Sequence, residues 1–182
     1  HVPFCAAKCP YCDFYSLAQS EAAMDAYAAK IAAELRAYAP EGECADTLYF
    51  GGGTPSLLGA KRLADILCAA REGFGLKGAE ITVEVNPAAR EDAQKRLLDG
   101  LASAGVNRLS IGLQSARAEE LRALGRRHTP EQAARAVSLA KESGISNLSL
   151  DVMLAIPGQT EESLRRSISF CVEQNIPHLS AY

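Results

Sequence analysis

Cys5, Cys9 and Cys12 stand as Cys-x3-Cys-x2-Cys within the run His1-Val-Pro-Phe-Cys-Ala-Ala-Lys-Cys-Pro-Tyr-Cys-Asp-Phe14. Three thiolates on one short loop are an odd number for a structural metal. A closed zinc site takes four ligands in a tetrahedron, usually from two cysteine knuckles. A 4Fe–4S cubane has four irons, so three cysteines hold three of them and leave the fourth open to a substrate or cofactor. The triplet therefore points to chemistry at an iron rather than to a staple. Cys44, Cys68 and Cys171 are scattered without ligand spacing. A chain of 182 residues does not depend on disulfides. These three are expected to be buried or half-buried free thiols in a reducing cytosol, with Cys68 beside Leu67 and Cys171 beside Val172 on apolar helix faces.

Strand and helix signals alternate along the chain, which predicts a parallel sheet covered by helices. Apolar or β-branched runs lie at Thr47–Phe50, Ile81–Val85, Leu109–Leu113, Leu148–Leu154 and Leu179–Tyr182. Between them, three-to-four spacing marks helices at Tyr27/Ile31/Leu35, Leu63/Ile66/Leu67, Leu97/Leu98/Leu101 and Leu164/Ile168/Val172. Thr129-Pro-Glu-Gln132 reads as an N-cap, a first-turn proline and a capping-box Gln. Gly105-Val-Asn-Arg-Leu-Ser-Ile111 is echoed by Gly144-Ile-Ser-Asn-Leu-Ser-Leu150 and by Asn175-Ile-Pro-His-Leu-Ser-Ala181. Each run opens on a residue that tolerates the left-handed conformation closing a helix, and each continues into a strand. The period is that of one βα unit. Counting a strand before Cys5 gives six. A complete eight-stranded barrel takes about 250 residues, so the expected fold is α/β, a partial six-stranded (β/α)6 barrel with a parallel sheet and outer helices.

In such barrels the working face lies at the carboxyl ends of the strands. Those ends carry the cysteine loop, Gly51-Gly52-Gly53-Thr54, Glu84, Asn86, Gln114-Ser115 and Asp151. Gly51–Gly53 let a main chain approach a ligand closely, or simply turn tightly. Glu84 suits a hydroxyl or amino group, and Gln114 offers both donor and acceptor. Arg126 is a permanent cation suited to a carboxylate, although it and Arg127 lie in a polar helical stretch where solvent exposure is expected. Asp151 sits inside an apolar run, where a carboxylate must be paired or belong to a site. An open-iron cluster beside groups for a ribose and an amino acid fits S-adenosylmethionine (SAM). One electron breaks the sulfonium–carbon bond of that cofactor and yields a 5′-deoxyadenosyl radical.

A net charge of −3 and a pI near 5.7 provide no basic field for a nucleic-acid backbone. No apolar run approaches the ~20 residues that span a bilayer, and the residues that open the chain do not read as a secretory signal. The chain opens without Met on a strand-like run and stops on another. Residues 1–182 are therefore expected to be the core domain of a longer protein, truncated at both ends, with a C-terminal domain outside it.

The triplet, with Tyr11 before its third cysteine, resembles the radical SAM superfamily signature. His1-Val-Pro-Phe-Cys5, Tyr49-Phe-Gly-Gly-Gly-Thr-Pro-Ser56, Glu84-Val-Asn-Pro87, Ser110-Ile-Gly-Leu-Gln-Ser115 and Leu154-Ala-Ile-Pro-Gly-Gln-Thr160 together resemble the oxygen-independent coproporphyrinogen III oxidase-like group. The resemblance implies a radical SAM barrel in which Cys5, Cys9 and Cys12 bind a 4Fe–4S cluster. It implies that Gly52, Gly53 and Thr54 meet the amino-acid part of SAM, and Glu84 and Gln114 its amino or ribose groups. Arg126, with Arg127 as the alternative, would take the carboxylate and Asp151 the ribose, while Tyr11 and Ala155 or its neighbours flank the adenine.

The group's decarboxylating dehydrogenases carry a fourth cysteine two residues after the third, and Phe14 stands there in this chain. Cys12-Asp-Phe14 with the Gly-rich motif resembles the HemW-type haem chaperone branch, which binds haem and passes it to apo-proteins. This implies haem or porphyrin as cargo, recipient haem proteins and an electron donor as partners, a cytoplasmic location, and membrane association only peripherally through partners. A coproporphyrinogen III dehydrogenase and a metal-stapled α/β module without SAM chemistry remain the alternatives. His128 and His178 are expected to be structural or solvated, with haem contacts in the C-terminal domain.

Overall fold

The computed structural model describes residues 1–39 and 44–182. Five strands form one sheet: β1 (Thr47–Phe50), β2 (Glu80–Val85), β3 (Arg108–Gln114), β4 (Asn147–Val152) and β5 (His178–Ala181). They lie in chain order β1-β2-β3-β4-β5, and every neighbouring pair is parallel. Helices α1 (Glu21–Ala37), α2 (Gly59–Phe74), α3 (Glu91–Ala104), α4 (Ala118–Ala123), α5 (Pro130–Glu142) and α6 (Glu161–Glu173) complete the α/β architecture. The sixth expected strand is not a continuous one. Val2 makes a parallel bridge to Gly52, and Val2 N–H donates to Gly51 O at 2.7 Å, while Gly53 and Thr54 donate back to Val2 O and Phe4 O. A short extended segment thus takes the first position of the partial barrel beside β1.

Parallel strands buried on both sides read as continuous apolar runs. These instead alternate with period two. Ile81, Val83, Val85, Leu109, Ile111, Leu113, Leu148, Leu150 and Val152 share one buried cluster with Met24, Leu63, Ile66, Leu67, Leu98, Leu101 and Val137 of the helices. Thr82, Glu84, Ser110, Ser149, Asp151 and Ser180 alternate with them, so they fall on the opposite face.

Local chemistry sets the helix ends. Thr129 and Gln132 form the expected capping box at α5, and Thr160 and Ser163 form another at α6. Gly105, Gly144 and Asn175, the first residues of the three echoed runs, have φ of 95°, 89° and 48°. All three close their helices in the left-handed region.

Three readings of the sequence need correction. The helix expected at Leu164/Ile168/Val172 is present as α6, but of that stripe only Leu164 packs against the core: Ile168 and Val172 are exposed, whereas Ser163, Ser167 and Cys171 are buried. Ser167 Oγ accepts the N–H of Ala116 at 3.0 Å, and this bond turns the small polar side of α6 toward the end of β3. Cys68 is exposed and bonded to Glu72, and Cys44 is exposed. Cys171 alone of the three is buried, and burial pushes its thiol up to about 11. Arg126 and Arg127 lie in the turn between α4 and α5 rather than in a helix.

Candidate functional site

The cysteine loop is tied at both ends. Cys5 N–H donates to Leu17 O at 3.1 Å and Leu17 N–H to Pro3 O at 2.8 Å, while Cys12 N–H donates to Cys9 O across an internal turn. Cys5, Cys9 and Cys12 are all half-buried. Among the described residues, no three His, Cys, Asp or Glu side chains are arranged around a single metal ion. A cubane makes no such demand, because each thiolate binds its own iron. Two of the sulfurs already have polar company: Thr54 Oγ1 lies 3.5 Å from Cys5 Sγ, and Arg126 Nη1 donates to Cys9 Sγ at 3.8 Å.

The glycine motif is explained mainly by packing. A Cβ on Gly52, whose φ is 127°, would lie 2.7 Å from the Val2 backbone. One on Gly53 would lie 2.7 Å from Phe4 O and 3.0 Å from Cys5 Sγ. Only glycine lets the first segment and the cysteine loop sit this close to the end of β1. The N–H groups of Gly52, Gly53 and Thr54 are spent on Glu84, Val2 and Phe4. They are not donors left over for a ligand.

At the end of β2, Glu84 accepts from Tyr49 Oη at 2.9 Å and from Gly52 N–H at 3.2 Å. Burial raises its pKa above the usual carboxylate range, against these two bonds. The Tyr49 phenol lies well above its ordinary range, through burial and the Glu84 charge. On β4, Asp151 accepts from Ser110 Oγ at 2.9 Å, and burial raises its pKa too.

Gln114 ends β3 with φ of 61°, a strained conformation for a residue with a side chain. Its Oε1 is buried and, among the described residues, has no hydrogen-bond partner. Strain and an orphaned acceptor on one residue mark a place built for something else. Ala155, at φ 57°, is strained in the same way on the loop after β4. Tyr11 lies beside Arg126, Cys9 and Cys12, and burial raises its phenol pKa. Of the two candidate cations, Arg126 is half-buried and turned inward, with Nη2 donating to Asn86 Oδ1 and Gly112 O; Arg127 is exposed.

Two histidines behave as expected of structural or solvated groups. His128 is buried, donates Nε2–H to Leu113 O at 3.1 Å, and is pushed down to about 4 by burial and by Arg126. His178 is exposed and shares a 2.8 Å hydrogen bond with Ser149 Oγ. Sequence reasoning noted Asn86 without giving it a task, and it missed Gln94. The Gln94 amide accepts from Ala88 N–H and donates to Asn86 O, fixing the chain that follows β2. The signal was present: Gln94 holds a buried helical position in line with Leu98 and Leu101, where a polar residue needs a partner.

The arrangement fits both groups that the spacing suggested. Three half-buried thiols share one loop with a hydroxyl and a guanidinium on their sulfurs. The adjoining strand ends offer two carboxylates, an orphaned amide oxygen and a cation. The sequence profile described as the radical SAM superfamily matches residues 1–171. The chain belongs to the radical SAM superfamily. Superfamily membership implies a 4Fe–4S cluster and SAM. Over its whole length the chain is 42% identical to the protein named heme chaperone HemW of Escherichia coli and 36% identical to that of Lactococcus lactis. It spans about half of each, 48% and 47%. The solved radical SAM structure titled coproporphyrinogen III oxidase (HemN) from Escherichia coli superposes on the entire chain with a TM-score of 0.87 at 30% identity, the match covering 42% of that protein. Among the described residues, no helix is long and apolar enough to cross a membrane.

Proposed function

We propose that residues 1–182 are the radical SAM core domain of a cytoplasmic haem chaperone that holds a 4Fe–4S cluster and SAM and delivers haem to recipient proteins. The observation that carries the SAM part is the buried, strained Gln114 with its unpartnered Oε1, beside the guanidinium that reaches Cys9. Similarity to the HemW proteins along the whole chain supports the haem part. Phe14 adds to it by standing where the decarboxylating relatives are expected to carry a cysteine.

In this reading Cys5, Cys9 and Cys12 hold the cluster, which when bound supplies the electron that breaks the sulfonium–carbon bond of SAM. Arg126 binds the SAM carboxylate, and Thr54 lies against the amino-acid part. Glu84, with one donor already on each oxygen, accepts from an ammonium through its remaining lone pairs. The Gln114 acceptor takes an amino or ribose donor, and Asp151, held by Ser110, takes a ribose hydroxyl. Tyr11 and Ala155 flank the adenine. Gly52 and Gly53 shape the floor and offer carbonyls, since their N–H groups are engaged. Haem or porphyrin is the cargo, an electron donor and recipient haem proteins are the partners, and the relatives' additional length is where haem contacts are sought.

The match to the HemN structure favours one second reading, a coproporphyrinogen III dehydrogenase. The test gives the anaerobically reconstituted full-length protein reductant, SAM and coproporphyrinogen III, and separately gives it haem and an apo-haem protein. We expect the tetrapyrrole mass to stay unchanged and the haem to pass to its recipient. Loss of two carboxyl groups from the substrate would overturn the chaperone reading.

A further inference from the structure

Two cysteines of the loop are joined by one chain of side chains. Cys5 Sγ lies 3.5 Å from Thr54 Oγ1, which accepts from Asn86 Nδ2 at 3.2 Å. Asn86 Oδ1 accepts from Arg126 Nη2, and Arg126 Nη1 reaches Cys9 Sγ at 3.8 Å. Asn86 is the centre of this bridge, and its two ends have different needs.

A guanidinium has donors only, so the amide oxygen must face Arg126 and the NH2 group must face Thr54. Thr54 Oγ1 then accepts a hydrogen bond from Asn86 Nδ2, which leaves its own O–H free to donate to Cys5 Sγ. The orientation of one amide therefore sends a hydroxyl donor to one sulfur and a cationic donor to another. Asn86 is itself held. Gln94, buried on α3, donates to the Asn86 carbonyl and accepts from the Ala88 N–H, while Pro87 has no N–H to compete.

We propose that Asn86 is a positioning residue that orients Thr54 and Arg126 onto the sulfurs of Cys5 and Cys9 and thereby sets the reduction potential of the cluster. Reduction adds negative charge, and donors aimed at the sulfurs stabilise the more negative state. Removing the amide releases both donors, so the potential falls. The inference rests on the radical SAM reading of the cysteine loop and extends it to a residue outside the ligands.

The test is a potentiometric titration, followed by electron paramagnetic resonance, of the full-length protein with its cluster loaded anaerobically. Asn86→Ala is expected to shift the one-electron equilibrium about tenfold toward the oxidised form, which is about 59 mV. Asn86→Asp keeps a partner for Arg126 but cannot donate to Thr54, and it brings a negative charge; its midpoint should fall at least as far. Thr54→Ser keeps the hydroxyl and should stay near the unaltered value, whereas Thr54→Val should fall. An unmoved midpoint in Asn86→Ala, with iron content unchanged, would overturn the inference. Where Asn86→Ala fails to load iron, Thr54→Val decides, and an unmoved midpoint there overturns it equally. Absence of a cluster from the unaltered protein would overturn the functional reading together with this inference; a normal cluster with unmoved midpoints would overturn this inference alone.

Discussion

The two faces of the sheet are made of different chemistry and do different work. On the helix-covered face, Val83, Leu109, Leu113, Leu148 and Leu150 are wholly buried among aliphatic neighbours. On the opposite face, Thr82, Glu84, Ser110, Ser149, Asp151 and Ser180 occupy the alternating positions, joined by hydrogen bonds such as Ser110 to Asp151 and Ser149 to Ser180. The first face resembles an ordinary core, where area removed from water dominates. The second keeps desolvated carboxylates with raised pKa values, an arrangement that opposes stability and suits binding. One strand therefore serves two ends through a period of two.

The sharpest break in that contrast is a large-to-small change on the covered face. Leu148→Ala should cost about 3 kcal/mol of unfolding free energy, read by denaturant melts, since the side chain is wholly buried and its removal leaves a cavity. His128 is the polar exception near that side. Its folded pKa is lowered to about 4, so it stays neutral in the native state while the unfolded chain takes up a proton near 6.5. Stability from this group is present above about 6.5 and is lost as the pH falls toward 4, a difference on the order of 3 kcal/mol. His128→Gln should flatten that part of the stability–pH curve.

Gln114→Gly should separate the faces most clearly. Relief of the left-handed strain should raise stability by about 1 kcal/mol, while loss of the orphaned acceptor should weaken SAM binding about tenfold in a titration. Asp151→Asn should leave stability at neutral pH unchanged or slightly higher. A carboxyl whose folded pKa is raised loses stability as the pH rises through that pKa, and the amide has no such loss. In the unaltered protein, SAM affinity should fall on acidification at a higher pH than an ordinary carboxylate would give, because Glu84 and Asp151 protonate early. The smallest effect belongs to Ser110→Ala, about 1 kcal/mol or less, for one hydrogen bond on the polar face.

What was legible in the chain was local. The capping box at Thr129 and the left-handed residues at 105, 144 and 175 depend on neighbours within a few positions, and they stand where the sequence put them. The strand runs were found because period and composition agree over several residues. The α6 face was not, since the outward Ile168 and Val172 follow from distant contacts of its small polar side, such as the bond from Ala116 to Ser167, 51 residues apart. The site divides the same way. Motif positions were readable, but the choice of Arg126 over Arg127 needed the turn between α4 and α5. The bridging task of Asn86 needed partners 32 and 40 residues away. The glycine motif was readable as close approach, though it is the first segment of the chain itself that approaches.

One measurement tests most directly whether the cysteine loop and the polar strand ends form a single site. The full-length protein, reconstituted anaerobically and reduced, is examined by electron paramagnetic resonance before and after SAM is added. We expect a brown protein whose reduced-cluster spectrum changes on addition of SAM, with the change lost or weakened in Gln114→Gly. A colourless zinc-bound protein, or a cluster spectrum indifferent to SAM, would contradict the site proposed here.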